Sequence, residues 1–454
     1  MVLSGGGARG SFQIGALRYL YDHDLIAPTK ISAVSAGSII GAMLAQSSDP
    51  VEQRAQLMVL ERYWLAMTDA SDMFTEQAWF QRLREQWGEL AAALPTRTND
   101  SDWAVETEGV DGAAAVKAAL RDDPSLNAGG DVNLAALWQI VQALPRIGRA
   151  GAGLASTLRG AEAAASAFRP GPIVGRLLFE SGFTQAAVQQ SGVELRMGFV
   201  GLNSGELHFM RQDGVVVDTA DQPVSDQAYD LSLGIWASCA IPGVFRPVKL
   251  GDDLYVDGGV RQNVPVDMAL RSLGLDRPWV VVSTAQRVEP GDFGRQGVIA
   301  SIIRAMSLLM DETGRAEIEW ARTAGCPVIE PLFEVHAAMS FDPVSLRINR
   351  DYGWMRAAAV VAGLTGTPDN DTSGLAGLIG RAPRRVARPA PVAESPATDL
   401  PSRIAQARVD LHRCQADGGE ARVVKRLRHQ LRVLVSAAPP AALPEDAAAW
   451  ADQD

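Results

Sequence analysis

The sequence predicts an α/β fold built around a central, mostly parallel sheet. Two successive segments carry that expectation. Val2–Ser4, the glycine loop GGGARG and the run Ser11–Tyr21 read as strand, loop and helix. Ile31–Val34, a tight turn and the small-residue run Ser38–Gln46 repeat the order. Strand–helix alternation favours parallel pairing, because each helix can serve as the crossover between neighbouring strands. The third observation is a set of short apolar runs of strand length at 193–202, 207–211, 254–256 and 279–284.

The remaining elements follow from periodicity and breaks. In Ser11–Tyr21, the residues Phe12, Ile14, Leu17, Leu20 and Tyr21 recur at mostly helical spacing. Residues 90–170 are rich in Ala and Gly, with TRTNDSD and LNAGGD as breaks, and predict a helical insertion. Residues 286–325 return to helix, with Ile299, Ile302, Ile303, Met306, Leu309 and Met310 on the pattern. A short strand in VIEPLF and a closing helix Tyr352–Leu364 complete a main domain over 1–366. Residues 367–400 are rich in Pro, Ala and Arg and read as a linker, and 401–454 as a basic helical tail.

Composition bounds the function. The net charge of −11 argues against nucleic acid as a general partner, since phosphate binding needs a basic surface. Three cysteines, Cys239, Cys326 and Cys414, lie far apart without CxxC spacing. They suggest neither a disulfide framework nor a zinc site, and point to a reducing, cytoplasmic compartment. Five scattered histidines weaken any metal reading. The opening MVLSGGGARG has no signal-peptide pattern, and its first strand looks cut short by Met1. The longest uncharged run, Ile31–Ser48, holds five serines and Gln46, too polar for a span of about 20 apolar residues.

Three local patterns carry chemistry. Gly5, Gly7 and Gly10 match the spacing of a dinucleotide loop, but no acidic residue stands where a second strand would present one. A glycine turn entering a helix exposes N–H groups to any anion, including the oxyanion of acyl transfer, and it can also be only a tight turn. Ser32, Ser35 and Ser38 stand in ISAVSAGSIIGAM. A nucleophile elbow needs small residues two before and two after the serine. Only Ser35 qualifies, with Ala33 and Gly37. Asp257, in LYVDGG, follows an apolar strand end and precedes two glycines that let another loop approach. A serine needs a neighbouring base. His336, His412 and His429 fit a triad by order only, so a Ser35–Asp257 pair is preferred, with glycine-loop amides on the oxyanion.

Taken together, SGGGARG, the SAG serine, ASCAIPGVFRPV and VDGGVRQNVP resemble, in this order, the patatin-like phospholipases. The likeness spans roughly Met1–Leu364, with DYGWMRAA resembling the closing helix of the family. It implies a three-layer α/β sandwich and a lipid acyl hydrolase with a Ser–Asp dyad. Carried over by position, Ser35 is the nucleophile, Asp257 the base, and Gly5, Gly6, Gly7 and Arg9 lie in the oxyanion loop. Ser238 and Pro242 fall in a segment that shapes the site. Ala33 departs from the usual glycine. Arg9 reads either as a salt-bridge partner within the fold or as a contact for a substrate phosphate.

The expected activity is hydrolysis of lipid esters, glycerophospholipids foremost, through an acyl-enzyme and without metal or organic cofactor. The alternatives are an inactive scaffold that binds lipid or a partner, and a dinucleotide-dependent oxidoreductase. The tail adds a partner expectation. Residues 421–435 hold five Lys or Arg and no acid around a stripe of Val424, Leu427, Leu431 and Leu434. Such a helix can lie on an anionic membrane surface or dock its stripe on the main domain. The oligomeric state is not encoded in any pattern found.

Overall fold

The computed structural model describes residues 1–68, 74–76, 168–170, 180–242, 244–285, 297–363 and 400–452. The expected insertion at 90–170 lies outside these residues apart from Phe168–Pro170, as does the linker as far as residue 399.

The strands are β1 (Val2–Leu3), β2 (Lys30–Val34), β3 (Phe74–Glu76), β4 (Phe168–Pro170), β5 (Glu194–Gly201), β6 (Leu207–Arg211), β7 (Val215–Val217), β8 (Pro223–Ala228), β9 (Val248–Leu250), β10 (Asp253–Asp257), β11 (Val280–Val281) and β12 (Val328–Ile329). The central sheet runs β12-β11-β1-β2-β5-β6-β7-β8. The half from β12 to β5 is parallel, as strand–helix alternation requires. Beyond β5 the pairings turn antiparallel, and β10 and β9 add to the other edge of β5. Strands β3 and β4 form a separate antiparallel ribbon.

Helices α1 (Gly10–Asp22), α2 (Ala36–Leu44), α3 (Pro50–Leu65), α4 (Gln185–Gln190), α5 (Leu231–Ser238), α6 (Gly297–Thr323), α7 (Pro343–Val361), α8 (Leu400–Ala416) and α9 (Ala421–Ala437) surround it. Successive strand residues face opposite ways, and β1 displays the three layers in two residues. Leu3 enters a core with Phe12 of α1, Ile40 of α2 and Tyr352 of α7. Val2 enters a second core with Ile318 and Ala321 of α6.

Capping sets two helix starts that periodicity alone does not reveal. Asp49 accepts the N–H groups of Val51 and Glu52 ahead of Pro50, opening α3. Asp342 accepts Ser345 N–H ahead of Pro343, so the closing helix begins well before Tyr352. The C-terminal helices belong to the first core, which includes Ile404, Leu411, Leu431, Leu434 and Trp450. Arg408 pairs with buried Asp351 at 2.6 Å, and the Ser402 and Tyr352 hydroxyls meet at 2.6 Å. The stripe of α9 is therefore docked on protein: Leu431 and Leu434 are buried, and Val424 and Leu427 pack beside them. Arg422, Lys425 and Arg426 remain exposed on its outer face. Among the described residues, no helix is long and apolar enough to cross a membrane.

Candidate active site

Strand β2 ends at Val34 and α2 begins at Ala36, so Ser35 alone makes the turn. Its φ of 54° and ψ of −127° lie in a region that non-glycine residues rarely occupy. Such strain lifts a side chain off the strand end. The flanking small residues have separate reasons. A Cβ on Gly37 would stand 2.6 Å from the carbonyl oxygens of Leu3 and Ser4, so that position tolerates no side chain. Ala33 is fully buried, and its methyl fits because α2 presents Gly41 opposite it.

A serine in α5 braces the elbow. The Ser35 N–H donates to Ser238 Oγ at 2.9 Å, and the Ser238 hydroxyl donates to the Gly198 carbonyl at 2.6 Å. With that proton engaged, Ser38 supplies the proton in its 2.9 Å contact with Ser238 Oγ.

The acid arrives by sheet topology. Strands β2 and β10 meet end to end along one edge of β5: Val34 lies opposite Gly198, and Asp257 opposite Phe199, the next residue. This abutment sets the strand ends bearing Ser35 and Asp257 side by side. It also explains Gly258, where a Cβ would stand 2.5 Å from the Gly198 carbonyl oxygen. Asp257 is fully buried, and its Oδ1 accepts Gly259 N–H at 2.8 Å. Burial pushes its carboxyl up from 3.8 to about 7, partly offset by the nearby Ser35 hydroxyl and Gly259 N–H. The Ser35 interaction favours the ionised form, yet among the described residues Oδ2 has no partner at full hydrogen-bonding geometry. Such contacts commonly tighten only when substrate binds.

The glycine loop crosses in front of this pair and runs through a short 3₁₀ turn, Gly7–Arg9, into α1. Its four candidate residues divide. Gly5 N–H donates to the Asn263 carbonyl and Arg9 N–H to the Gly6 carbonyl. Among the described residues, no acceptor faces the N–H groups of Gly6 or Gly7, which stand at the acid-free N-terminal end of α1. The Arg9 side chain pairs with Glu334 at 2.8 Å and also donates to the His336 carbonyl. An ion pair within the fold is thus one of its roles.

The histidines stand elsewhere. His336 is buried behind Arg9, where its Nδ1 contacts the Ala337 carbonyl, and burial pushes the imidazole down to about 4. His412 pairs with Asp342. No hydrogen bond joins either to Ser35 or Asp257 among the described residues. Nor do the described residues contain a cluster of three metal-ligating side chains.

A family model described as "Patatin-like phospholipase" matches residues 1–270, more than half of the chain. The chain belongs to the patatin-like phospholipases. Among curated proteins nothing matches it. Two solved structures are similar at low identity. VipD from Legionella pneumophila is 15% identical, with 99% of this chain and 82% of that chain covered and a TM-score of 0.32. The heterodimeric complex ExoU–SpcU from the type III secretion system of Pseudomonas aeruginosa is 15% identical, with coverages of 97% and 66% and a TM-score of 0.19. Within this patatin-like chain, sequence reading placed Ser238 only in a site-shaping segment and passed over Asn263. Their roles depend on partners brought in from distant strands, which no local pattern announces.

Proposed function

We propose that this chain is a serine acyl hydrolase of lipid esters, acting on glycerophospholipids through Ser35 and Asp257. One observation carries the reading: a strained, buried serine turn abuts a fully buried carboxyl on the adjoining rung of β5. Asp257 accepts the Ser35 proton as Oγ attacks the ester carbonyl carbon. Gly6 and Gly7 N–H groups receive the oxyanion, as preorganised donors do in acyl transfer. Asp257 returns the proton to the leaving alcohol, and an acyl-enzyme remains on Ser35. Water then repeats the sequence and releases the fatty acid. Burial raises the base to about 7, where it can both take and return a proton near neutral pH.

A fluorophosphonate probe tests the reading, since only an activated serine reacts. Labelling confined to Ser35, absent in Ser35→Ala and Asp257→Asn, supports it. Unlabelled, folded protein favours an inactive scaffold. Product mass analysis on a panel of phospholipids and neutral esters then reads the head group and bond cleaved.

The exposed Arg422, Lys425 and Arg426 support a second reading, peripheral contact with anionic lipid through the outer face of α9. Because α8 and α9 are part of the core, charge reversal on the exposed face tests it and leaves the packed stripe in place. Arg422→Glu, Lys425→Glu and Arg426→Glu together should lower co-sedimentation with anionic liposomes at low salt while hydrolysis of a small soluble ester is unchanged.

A further inference from the structure

We propose, on the serine-hydrolase reading above, that Asn263 orients the water that cleaves the acyl-enzyme. The point where a Cβ on Gly5 would stand is 2.4 Å from Asn263 Oδ1 and 3.2 Å from Ser35 Cβ. The corresponding point on Gly259 is 3.0 Å from Asn263 Oδ1 and 3.1 Å from Asp257 Oδ1. The amide oxygen thus sits in the corner between the glycine loop, Ser35 and Asp257, while its Nδ2 faces Gly314 of α6. Asn263 is only 3% exposed, and its Oδ1 has no hydrogen-bond partner among the described residues. Asp257 Oδ2 is likewise buried, with the Ser35 hydroxyl near it but no partner at full hydrogen-bonding geometry among the described residues.

A buried acceptor without a donor is costly, and acylation removes the Ser35 proton, so in the acyl-enzyme both oxygens call for a donor. The ester carbonyl offers only acceptors there and cannot satisfy them. Water offers two O–H groups, one for each. The main chain fixes Asn263 for this task. Its carbonyl holds the Gly5 N–H, and the following N–H, of Val264, donates to Glu317 Oε2 at 2.6 Å.

In the step itself, the water oxygen bonds to the acyl carbon while one of its protons passes to the Asp257 carboxylate. The other O–H donates to Asn263 Oδ1. The carbonyl electron pair moves onto the oxygen held by Gly6 and Gly7. That intermediate collapses, the bond to Ser35 Oγ breaks, and Oγ recovers the proton from Asp257. The fatty acid leaves and ionises in solvent.

The test separates the two half-reactions in the full chain. Asn263→Ala should be labelled by fluorophosphonate at Ser35 within about twofold of the wild-type rate, because bond formation to Ser35 needs no water. Its steady-state turnover of a p-nitrophenyl acyl ester should fall about 100-fold, the scale of a misplaced reactant. Intact-mass analysis during turnover should then find the acyl adduct accumulating on the protein. Asn263→Asp retains the acceptor oxygen and the shape. The added negative charge raises the working range of Asp257, so this variant should turn over at least ten times faster than Asn263→Ala at pH 9. Circular-dichroism melting checks folding. If Asn263→Ala is unfolded, Asn263→Asp decides: loss of turnover at pH 9 with Ser35 labelling intact overturns the proposal. Equal slowing of labelling and turnover without an adduct also overturns it, as does unchanged turnover. If wild-type Ser35 is not labelled at all, it is the hydrolase reading that fails instead.

Discussion

Two of the places where this molecule buries charge do so under opposite terms. Where α3, α7 and α8 meet, Asp351 lies between Arg350 and Arg408, and Glu61 between Arg350 and Arg18. Each buried charge there faces an opposite one. At the site, Asp257 is equally buried but among the described residues faces no cation, with one backbone N–H and a serine hydroxyl beside it. The seam uses charge to bind helices together. The site leaves a carboxyl under-compensated, at the expense of stability.

The largest effect should come from breaking the site. Ser35→Ala and Asp257→Asn should each lower ester hydrolysis by about 10⁴-fold or more, and the double variant should be no worse than either, because nucleophile and base act as a unit. His336→Ala should keep most activity. Stability should move the other way for Asp257→Asn. A carboxyl whose folded pKa is raised from 3.8 to about 7 stabilises the fold fully below 3.8, and that contribution is lost as pH rises through 7. At pH 8 the wild type lacks it, and the shift corresponds to about 4 kcal/mol. Asp257→Asn should therefore melt above wild type at pH 8, with the advantage shrinking toward pH 5. A lower melting temperature at pH 8 would remove the contrast between site and seam.

The seam should respond in the opposite sense. Asp351→Ala leaves Arg408 and Arg350 without their shared partner, and removing one member of a buried pair costs about 3–5 kcal/mol. Melting should fall steeply, while kcat measured well below the transition stays near wild type. A fall in kcat with unchanged melting would mean that the seam belongs to the site.

The same contrast explains what could be read from sequence. The elbow was legible because its constraint is local: Gly37 and Ala33 must be small for the turn around Ser35 to close. The Asp257 turn was legible for the same reason. Nothing local says that β2 and β10 end against neighbouring residues of β5, and that junction is what joins the two motifs. Which loop amides are spare was equally hidden, since Gly5 N–H is taken by the distant Asn263 carbonyl. Strand β8, PVSDQA, is exposed throughout and has no alternation to read. On α9 one stripe of Val424, Leu427, Leu431 and Leu434 suits a membrane or a protein surface equally, and only tertiary packing separates them.

Ala33 offers a smaller perturbation of the same corner. A valine there pushes branched methyls toward Gly41, an overpacking of about 1–3 kcal/mol. The strain should tilt Ser35 and lower kcat about 10-fold to 100-fold with KM little changed. Full activity in Ala33→Val would mean that Ser35 does not sit on a tight elbow.

The smallest effect, about tenfold per pH unit, separates the two kinds of buried group without mutating the site. On the proposed mechanism Asp257 must be ionised to act as base, so kcat/KM should fall as pH drops below about 7. A histidine base at His336 would place that limb near 4. Glu317 complicates the assignment, because burial pushes it up to about 8 beside the Asn263–Val264 turn. The profile should therefore be repeated in Glu317→Gln, where the limb at about 7 should persist. Solvent polarity then identifies the acid type. A modest fraction of organic cosolvent disfavours charge, which raises the pKa of a carboxyl and lowers that of an imidazolium. The limb should move to higher pH if it belongs to Asp257. Movement to lower pH would assign it to a histidine, and the pairing of Ser35 with Asp257 would have to give way to a triad.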